Sequence, residues 1–582
     1  MMPPRYDANL RPPPPAETGA RPDPGTSRTA ATLRTGRSRL HCLALVFGLA
    51  FVVIAFRLSG VMLFGGAEEM AVGAERARSA GIFDRADVVD RNNNLLATNL
   101  LSPSLYADAR LVPDPEAAAD RVRSVLPGLD RAELVRKLAS ERAFVWLKRN
   151  LTPGQQYEIN ALGIPGLGFQ DEQRRLYPLG NLAAHALGFV DVDSKGIAGI
   201  EVYFDDELRR AAHGGESLGL SLDIRVQHAV RDELQNAVKT FRALGAGGIV
   251  LDARTGEVLA MVSLPDFDPN HAGDASQLAR FNRVTLGVYE LGSVFKIFNT
   301  AMALDSGLVG LGDGYDASRP LRVSRFTIRD DHPKNRWLTV PEIFVYSSNI
   351  GSAKMAVDMG TQRQRAFMQR LGLLDRPTLE LPELGAPLSP SPWREINTMT
   401  VAFGHGLAVT PLQVAGAAAA IVNGGVLRPA TLLKRQGPPP AGARVVSKKT
   451  SDTMRRLLRM VVLEGTGKKA NVPGYVVGGK TGTAEKAVGR GYASRALITS
   501  FVGIFPMTAP RYVVLLLLDE PKGSDATFGY ATAGWNAAPT TARVIARIAP
   551  LLGVEAVDEG APEVLEALDI TIDKGRARLA SF

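Results

Sequence analysis

The sequence predicts an α+β fold for the larger part of the chain, and two paired patterns lead to this prediction. A helical pattern with Asp223 as its N-cap covers residues 223–244 and is followed by a strand–turn–strand pattern over 248–262. A second strand–turn–strand pattern spans 500–519 and is followed by a helical pattern over about 536–552. We expect one antiparallel sheet flanked by helices from both ends of the domain, with an all-helical subdomain inserted between them.

The amino-terminal part of the chain has two segments of different composition. Residues 1–39 are rich in Pro, Gly, Arg and Thr, which predicts a disordered tail. Residues 40–64 are mostly apolar and long enough to cross a bilayer of about 30 Å, which predicts one transmembrane helix. Arginines precede this run, so we expect the amino terminus in the cytoplasm and the chain after about residue 65 in the periplasm. A cleaved signal peptide is the alternative interpretation.

Residues 65–220 mix short strand patterns, turns and amphipathic helices, and they predict an elongated mixed α/β pedestal. Residues 86–97 read as two short strands around an Asn-rich turn, since Asn tolerates left-handed backbone angles. No catalytic cluster stands out in this segment, so we expect a structural or docking module. Residues 221–554 then form the α+β domain, and 555–582 read as a marginally ordered C-terminal tail.

Composition argues against several classes of site. Cys42 is the only cysteine and seven histidines show no paired spacing, so we expect no metal site and no cofactor. The net charge is +9, but acidic and basic residues are interspersed outside the tail. That pattern is typical of a solvated surface and argues against nucleic-acid binding.

A serine and a lysine stand three residues apart at the start of a helical pattern. Ser293-Val-Phe-Lys296 follows Gly292 and precedes the helix-favouring run 297–304. Residues i and i+3 share one helix face, so the Lys296 amine can reach the Ser293 hydroxyl. A serine needs a neighbouring base to act as a nucleophile, and lysine is a base only when a depressed pKa leaves it neutral. The pattern therefore predicts nucleophilic catalysis, although a helix cap beside a solvated charge has the same spacing.

Two further short motifs follow in the same domain. Ser347-Ser-Asn349 precedes a helical run, and Lys480-Thr-Gly-Thr483 follows a strand-like stretch. Each motif alone is a common turn, cap or strand end. In this order and these contexts, the three make up a set used by class A β-lactamases and penicillin-binding proteins.

With these motifs the chain resembles the class B penicillin-binding proteins, which carry a transpeptidase domain on a non-enzymatic pedestal. The segments 281–283, 289–293 and 403–413 are similar to the family's stretches around the motifs. The segments 174–178, 188–190 and 199–201 are similar to its pedestal motifs. Residues 480–486 are most similar to the division-specific transpeptidases of the FtsI type. Two residues depart from the family pattern: Leu291 stands where Pro is usual, and Asn93 where Gly is usual.

The resemblance implies a role for each residue of the first two motifs. Ser293 would attack the carbonyl of the penultimate D-alanine of a stem pentapeptide and release the terminal D-alanine. Lys296 would accept the serine proton, and Ser347 would pass a proton to the leaving amine. Asn349 would hold the donor peptide. An amine of a second stem peptide would then resolve the acyl-enzyme, and β-lactams would acylate Ser293.

The third motif would bind the substrate. By resemblance, Lys480, Thr481, Gly482 and Thr483 form the substrate-binding strand, with the lysine and hydroxyls on the terminal carboxylate. The backbone N–H groups of Ser293 and Thr483 would form the oxyanion hole.

Several functions stay open at this point. An elongation-specific transpeptidase, a D,D-carboxypeptidase, a β-lactamase and a non-catalytic division scaffold or β-lactam sensor are the alternatives. The resemblance also implies partners: peptidoglycan stem peptides, a glycosyltransferase of the SEDS family, other membrane proteins of the division machinery, and the inner membrane at the division site.

Overall fold

The computed structural model describes residues 48–49, 51–53, 84–323, 326–488 and 491–570. The first two short pieces are helical and exposed. The predicted tail, 1–39, and the rest of the predicted span, 40–64, lie outside the described residues. In the part of the chain that the structure describes, no helix has the length and apolar character needed to cross a membrane. The chain divides into residues 1–77 and 78–582, and the second unit is described below.

A mixed sheet with helices packed around it forms the pedestal. Strand β2 is its longest strand, and it pairs antiparallel with β1, β3 and β4, while β7 adds parallel to β1. The strands of this sheet are β1 (Val88–Val89), β2 (Leu95–Ala107), β3 (Val145–Lys148), β4 (Leu167–Leu176) and β7 (Leu218–Gly219). Strands β5 (Phe189–Val190) and β6 (Gly196–Ala198) form a separate antiparallel pair. The helices are α1 (Pro115–Val125), α2 (Arg131–Leu138), α3 (Pro153–Ala161), α4 (Ala184–Leu187), α5 (Gly199–Tyr203) and α6 (Asp205–Gly214).

The turn between β1 and β2 is the Asn-rich turn expected from the sequence. Asn93 has φ +64°, a left-handed angle that Asn accepts more readily than most residues. The Asp90 carboxylate accepts hydrogen bonds from the backbone N–H groups of Asn92 and Asn94, both 2.8 Å long. Asn therefore forms this turn at the position where the family usually has Gly.

A largely buried ion cluster lies in the pedestal. The Glu201 carboxylate accepts from Arg85 Nε at 2.6 Å and from Arg175 Nε at 2.7 Å, and none of the three side chains is exposed. Asp205 adds a second carboxylate beside Arg85 at 2.5 Å. Because buried charges need partners, these four residues depend on one another.

The second domain is built on a five-stranded antiparallel sheet with the order β16-β17-β18-β8-β9. Its strands are β8 (Gly245–Asp252), β9 (Val258–Leu264), β16 (Gly478–Val488), β17 (Gly491–Phe505) and β18 (Tyr512–Asp519). Helix α7 (Ile224–Phe241), capped by Asp223, and helix α16 (Ala537–Leu551), capped by Asn536, pack on one face of this sheet. The antiparallel sheet with helices from both ends of the domain is confirmed.

Both faces of this sheet are buried, which explains the uninterrupted apolar runs of its strands. Val250 and Leu516 face the terminal helices, whereas Ile249 and Leu515 face the inserted helices. The insertion contains α8 (Gln277–Arg280), α9 (Lys296–Asp305), α10 (Val340–Val345), α11 (Asn349–Met359), α12 (Thr361–Arg370), α13 (Glu395–Val401), α14 (Pro411–Val422) and α15 (Lys448–Leu463).

The insertion is not all helical, which corrects the expectation from the sequence. Three two-stranded pairs, β10–β13, β11–β12 and β14–β15, lie between its helices. Their strands are β10 (Gly314–Asp316), β11 (Leu321–Val323), β12 (Phe326–Ile328), β13 (Trp337–Thr339), β14 (Val426–Leu427) and β15 (Ala443–Arg444). Pairs of two or three residues are too short to produce a visible alternation of polar and apolar side chains.

The C-terminal segment also differs from the prediction of a marginally ordered tail. Helix α17 (Pro562–Leu568) follows a turn in which Glu559 accepts from Arg459 Nη2 at 2.7 Å. The same carboxylate accepts from two backbone N–H groups, those of Gly474 and Val476. Val564 and Leu568 pack against the main core. The packing partners lie about a hundred residues away, so no local pattern indicated them; residues 571–582 lie outside the described residues.

Candidate active site

Ser293 and Lys296 meet at the turn that leads into α9. Ser293 lies in a 3-10 turn, Gly292–Phe295, and Lys296 is the first residue of the helix. The Lys296 Nζ atom is 2.9 Å from Ser293 Oγ, and the Lys296 side chain is fully buried. The structure therefore brings together the two groups that the spacing predicted to meet.

The second motif approaches from the turn between α10 and α11. Ser347 has φ +61°, an uncommon left-handed angle for a serine, and this turn directs both its carbonyl and its hydroxyl at Lys296. Asn349 begins α11, and its Oδ1 accepts from Lys296 Nζ at 2.7 Å. Strain of this kind persists only where the surrounding structure holds it, and here it places a hydroxyl beside the base.

The third motif lies on β16, the edge strand of the sheet. Lys480 is fully buried, and its Nζ atom is 2.9 Å from Ser347 Oγ. The 3-10 turn packs directly against this edge. A Cβ atom on Gly482 would lie 2.2 Å from the Leu291 carbonyl oxygen, and one on Gly292 would lie 2.4 Å from the Thr483 oxygen. Both glycines are therefore required for the nucleophile to sit beside the strand.

Hydrogen-bond accounting shows which protonation state suits Lys296. Two of its contacts, the Ser347 carbonyl at 2.6 Å and Asn349 Oδ1 at 2.7 Å, can only accept hydrogen bonds. A neutral amine has two N–H groups and one lone pair, so these two acceptors use both N–H groups. The lone pair is then left for the two nearby hydroxyls, Ser293 Oγ at 2.9 Å and Ser347 Oγ at 3.0 Å. The contacts thus suit a neutral lysine acting as base.

Burial supports the same protonation state. Burial lowers the pKa of Lys296 to about 7, against an opposing effect of the carboxylates of Asp330 and Asp331. Burial also lowers the pKa of Lys480 well below its usual value, and the charge of Lys296 lowers it further. Two ammonium groups beside one Ser347 hydroxyl repel each other, so the pair carries fewer than two charges near neutral pH. A carboxylate at Lys480 would draw the remaining proton to that lysine and leave Lys296 neutral.

Asp330 is a site residue that the sequence did not reveal. Its Oδ1 accepts from the backbone N–H groups of Asn349 at 2.6 Å and Ile350 at 3.0 Å, and its Oδ2 accepts from Ser348 Oγ at 2.8 Å. Asp330 thus caps α11 from outside the helix and fixes the second motif. It lies 17 residues before Ser347, beyond the reach of any helix-cap pattern in the sequence.

A cavity of about 780 Å³ opens above these groups. Its walls come from the motifs, from β12 and the residues after it, and from α13, β16 and the segment before α16; they include Ser293, Asn349, Thr483, Arg329, Asp331, His405, Glu485 and Thr532. Ser293 is the nucleophile candidate on its floor. Burial lowers the pKa of His405, while the charge of Glu290 opposes this effect. The cavity is large enough for a peptide.

The two threonines of the third motif differ in position. Thr483 lines the cavity, and its Oγ1 accepts from the Ala533 N–H at 3.1 Å. Thr481 is buried, and its hydroxyl pairs with that of Thr466 at 2.7 Å, away from the cavity wall. A carboxylate contact from Thr481 stays a prediction. Among the described residues, no group of three His, Cys, Asp or Glu side chains could hold a metal ion.

Comparison with protein families identifies the two parts of the chain. Residues 246–545 match the penicillin-binding protein transpeptidase domain, and residues 83–220 match the penicillin-binding protein dimerisation domain. The chain belongs to the penicillin-binding protein transpeptidases. The Ser293, Ser347 and Lys480 motifs all lie within the first match.

Named relatives agree with this family. The chain is 42% identical to a probable peptidoglycan D,D-transpeptidase FtsI of Caulobacter vibrioides, over 89% of each protein. It is 31% identical to the peptidoglycan D,D-transpeptidase FtsI of Escherichia coli, over 75% of this chain and 80% of that protein. Among solved structures, penicillin-binding protein 3 of Mycobacterium tuberculosis, complexed with aztreonam, has a TM-score of 0.64 at 27% identity; the match covers 82% of this chain and 98% of that one.

Proposed function

We propose that this penicillin-binding transpeptidase is a peptidoglycan D,D-transpeptidase that acts in cell division. One observation carries the chemistry: a fully buried Lys296 whose Nζ atom lies 2.9 Å from Ser293 Oγ and within hydrogen-bond distance of Ser347 and Asn349. A serine nucleophile needs a neighbouring base for acyl transfer, and a buried neutral amine can be that base.

Acylation follows from this geometry. Neutral Lys296 takes the Ser293 proton as Oγ attacks the carbonyl of the penultimate D-alanine. Ser347 Oγ lies 3.0 Å from Lys296 Nζ and 2.9 Å from Lys480 Nζ, so it can relay a proton to the departing D-alanine amine. Lys480 and Thr483 bind the terminal carboxylate at the edge strand. The products are a free D-alanine and an ester at Ser293.

Resolution of the ester decides between the candidate enzymes. An amine of a second stem peptide gives a cross-link, while water gives a trimmed peptide or, for penicillin, hydrolysis. Glu380 accepts from Thr431 Oγ1 and the Leu432 N–H, and Glu383 accepts from the Gly199 N–H, so both carboxylates serve structural roles. Neither Glu380 nor Glu383 lines the cavity, whereas Glu485 does, so product analysis decides between the amine acceptor and a glutamate-activated water.

The first test is acylation by a labelled penicillin, followed by intact mass. Wild type should form a long-lived adduct, and Ser293→Ala should form none. Ser217→Ala, an exposed serine of the pedestal, is the matched control and should behave as wild type. Rapid loss of the adduct with accumulation of hydrolysed penicillin would indicate a β-lactamase, and absence of any adduct on wild type would contradict catalysis at Ser293.

The division role is supported by relatives and by one segment of the sequence. Residues 480–486 resemble the division-specific transpeptidases, and the relatives from C. vibrioides and E. coli are both named FtsI. Depletion of the protein should therefore block septum formation and leave elongated cells. Rounded cells after depletion would instead indicate the elongation-specific function.

The membrane anchor and location rest on the sequence. The apolar run 40–64 and the arginines before it support a single span with the amino terminus in the cytoplasm and the catalytic domain in the periplasm. A reporter enzyme that folds only in the periplasm should be active when it is fused after residue 65. The protein should sediment with the inner membrane and resist extraction by salt, whereas a cleaved signal peptide would release it.

The family resemblance also supports a partnership with a SEDS-family glycosyltransferase and other division proteins, since the transpeptidase domain supplies only the cross-linking half of the synthesis. Cross-linking of the full chain in membranes, followed by mass spectrometry, should recover such a multi-span protein. Recovery at the level of an unrelated single-span control would contradict this partnership.

A further inference from the structure

A cluster of exposed aromatic side chains lies beside the cavity. Phe528 and Tyr530 belong to the loop between β18 and α16, and their side chains are 78% and 54% exposed. Tyr530 stacks on Trp535 with ring centroids 5.5 Å apart and planes at 12°, and Phe528 meets the same indole edge-on at 5.8 Å. We call these three residues the aromatic platform.

A lysine and two backbone hydrogen bonds support the platform. Lys469 Nζ lies 3.0 Å from the centre of the Trp535 ring, so lysine, indole and phenol form one stack. The indole is thus in contact with both neighbours, while the Tyr530 side chain remains 54% exposed. Backbone hydrogen bonds from Gly529 to Ser524 and from Tyr530 to Thr527 brace the loop.

Phe528 is held in a costly conformation. Its φ is +52°, a left-handed angle that a bulky side chain rarely adopts, and the ring remains mostly in solvent. Neither backbone strain nor an exposed ring stabilises the fold. Such a combination is a reason to look for a ligand.

The platform is continuous with the reaction site. Thr532, between Tyr530 and Trp535, lines the cavity, and the next residue, Ala533, is buried and donates its N–H to Thr483 Oγ1 at 3.1 Å. Gly292 in turn packs on the Thr483 backbone. The loop is therefore anchored to the substrate-binding strand at Ala533, three residues after the exposed Tyr530.

The substrate's own chemistry selects the occupant. The stem peptide is joined by its first residue to a sugar of the glycan strand, and its fourth carbonyl reacts at Ser293. Four extended residues span roughly 14 Å, so the sugar lies within that reach of Ser293 when the carbonyl is in place. One face of a pyranose ring presents C–H groups, which pack well on the electron-rich face of an aromatic ring.

We infer that the aromatic platform of Phe528, Tyr530 and Trp535 binds the sugar that carries the stem peptide, with the ring of the sugar on Tyr530. This inference rests on the proposed transpeptidase function and adds a glycan subsite to it. The platform acts on substrate affinity and leaves the chemistry at Ser293 unchanged. A free stem peptide is therefore a poorer substrate than the same peptide on a disaccharide.

The test compares two soluble donors, a pentapeptide and a disaccharide carrying the same pentapeptide. With full-length wild type, release of D-alanine should have a higher kcat/KM for the disaccharide-linked donor. Tyr530→Ala should lower that value about three- to tenfold, through KM, and leave the free pentapeptide and penicillin acylation at wild-type values. Tyr530→Phe, which keeps the ring, should retain the preference.

Control variants distinguish loss of the glycan subsite from misfolding of a variant and from absence of the transpeptidase function. Tyr157→Ala removes a tyrosine that is 76% exposed on the pedestal and should change nothing. Phe528→Ala provides an independent second variant if Tyr530→Ala acylates poorly with penicillin. An unchanged preference in both alanine variants, or an equal loss on both donors, would overturn the glycan subsite. Absence of penicillin acylation in wild type would instead overturn the function on which it rests.

Discussion

The pKa of Lys296 determines how the acylation rate at Ser293 depends on pH. Lys296 acts as a base only when neutral, and burial lowers its pKa from 10.5 to about 7. Above this pKa the amine is neutral and acylation reaches a plateau. Below it the amine is protonated, and the rate falls by about tenfold for each pH unit.

The size of the effect follows from these two values. With a pKa of about 7, roughly half of the molecules have a neutral Lys296 at pH 7, while an ordinary lysine would be neutral in roughly one molecule in three thousand. Between pH 5.5 and 8.5 the neutral fraction rises about thirtyfold. The second-order acylation rate constant should rise by the same factor.

The measurement is the second-order acylation rate constant over this pH range, at labelled penicillin well below saturation, which reports ionisations in the free enzyme. The variant Asp330→Asn tests the direction of the expected pKa shift. The Asp330 charge raises the pKa of Lys296, so its removal should shift the acid limb to lower pH. Asp114→Asn alters a comparable helix cap on the pedestal, at α1, and should leave the limb in place.

Two results would refute the reasoning. A rate that is constant from pH 5.5 to 8.5 would show that proton removal by Lys296 does not limit acylation. A limb that moves to higher pH in Asp330→Asn would show that the carboxylate acts on the site other than through its charge.

Three further variants test the packing around the site and the domains. Gly482→Ala should reduce penicillin acylation at least about a hundredfold, because its Cβ would lie 2.2 Å from a carbonyl oxygen of the nucleophile turn; an active variant would contradict the need for close packing. Glu201→Gln should lower the free energy of unfolding in urea by about 3–5 kcal/mol, because two buried guanidinium groups lose their shared carboxylate. Glu207→Gln, at an exposed ion pair, is the control. Glu559→Gln should lower the free energy of unfolding by about 1–2 kcal/mol in the same assay. An unchanged free energy of unfolding would contradict the described binding of the C-terminal segment.

Most of the fold and site predictions depended on residues that lie close together in the sequence. The helix N-cap at Asp223, the two hairpins and the final helix are local patterns, and the sheet they build is as expected. The contact between Ser293 and Lys296 was also predictable, because a helical turn places i and i+3 on one face. Membership of a penicillin-binding family followed from three short motifs in order.

Only the tertiary structure could show how these motifs act on each other. Lys296 has a lowered pKa because the packed domain removes it from water, and Ser347 lies between two lysines because a left-handed turn directs it there. Asp330 caps α11 from a different segment, and the aromatic platform reaches the cavity through Thr532. Burial and long-range packing depend on the whole fold, whereas the sequence by itself determines only local geometry and the chemistry of the side chains.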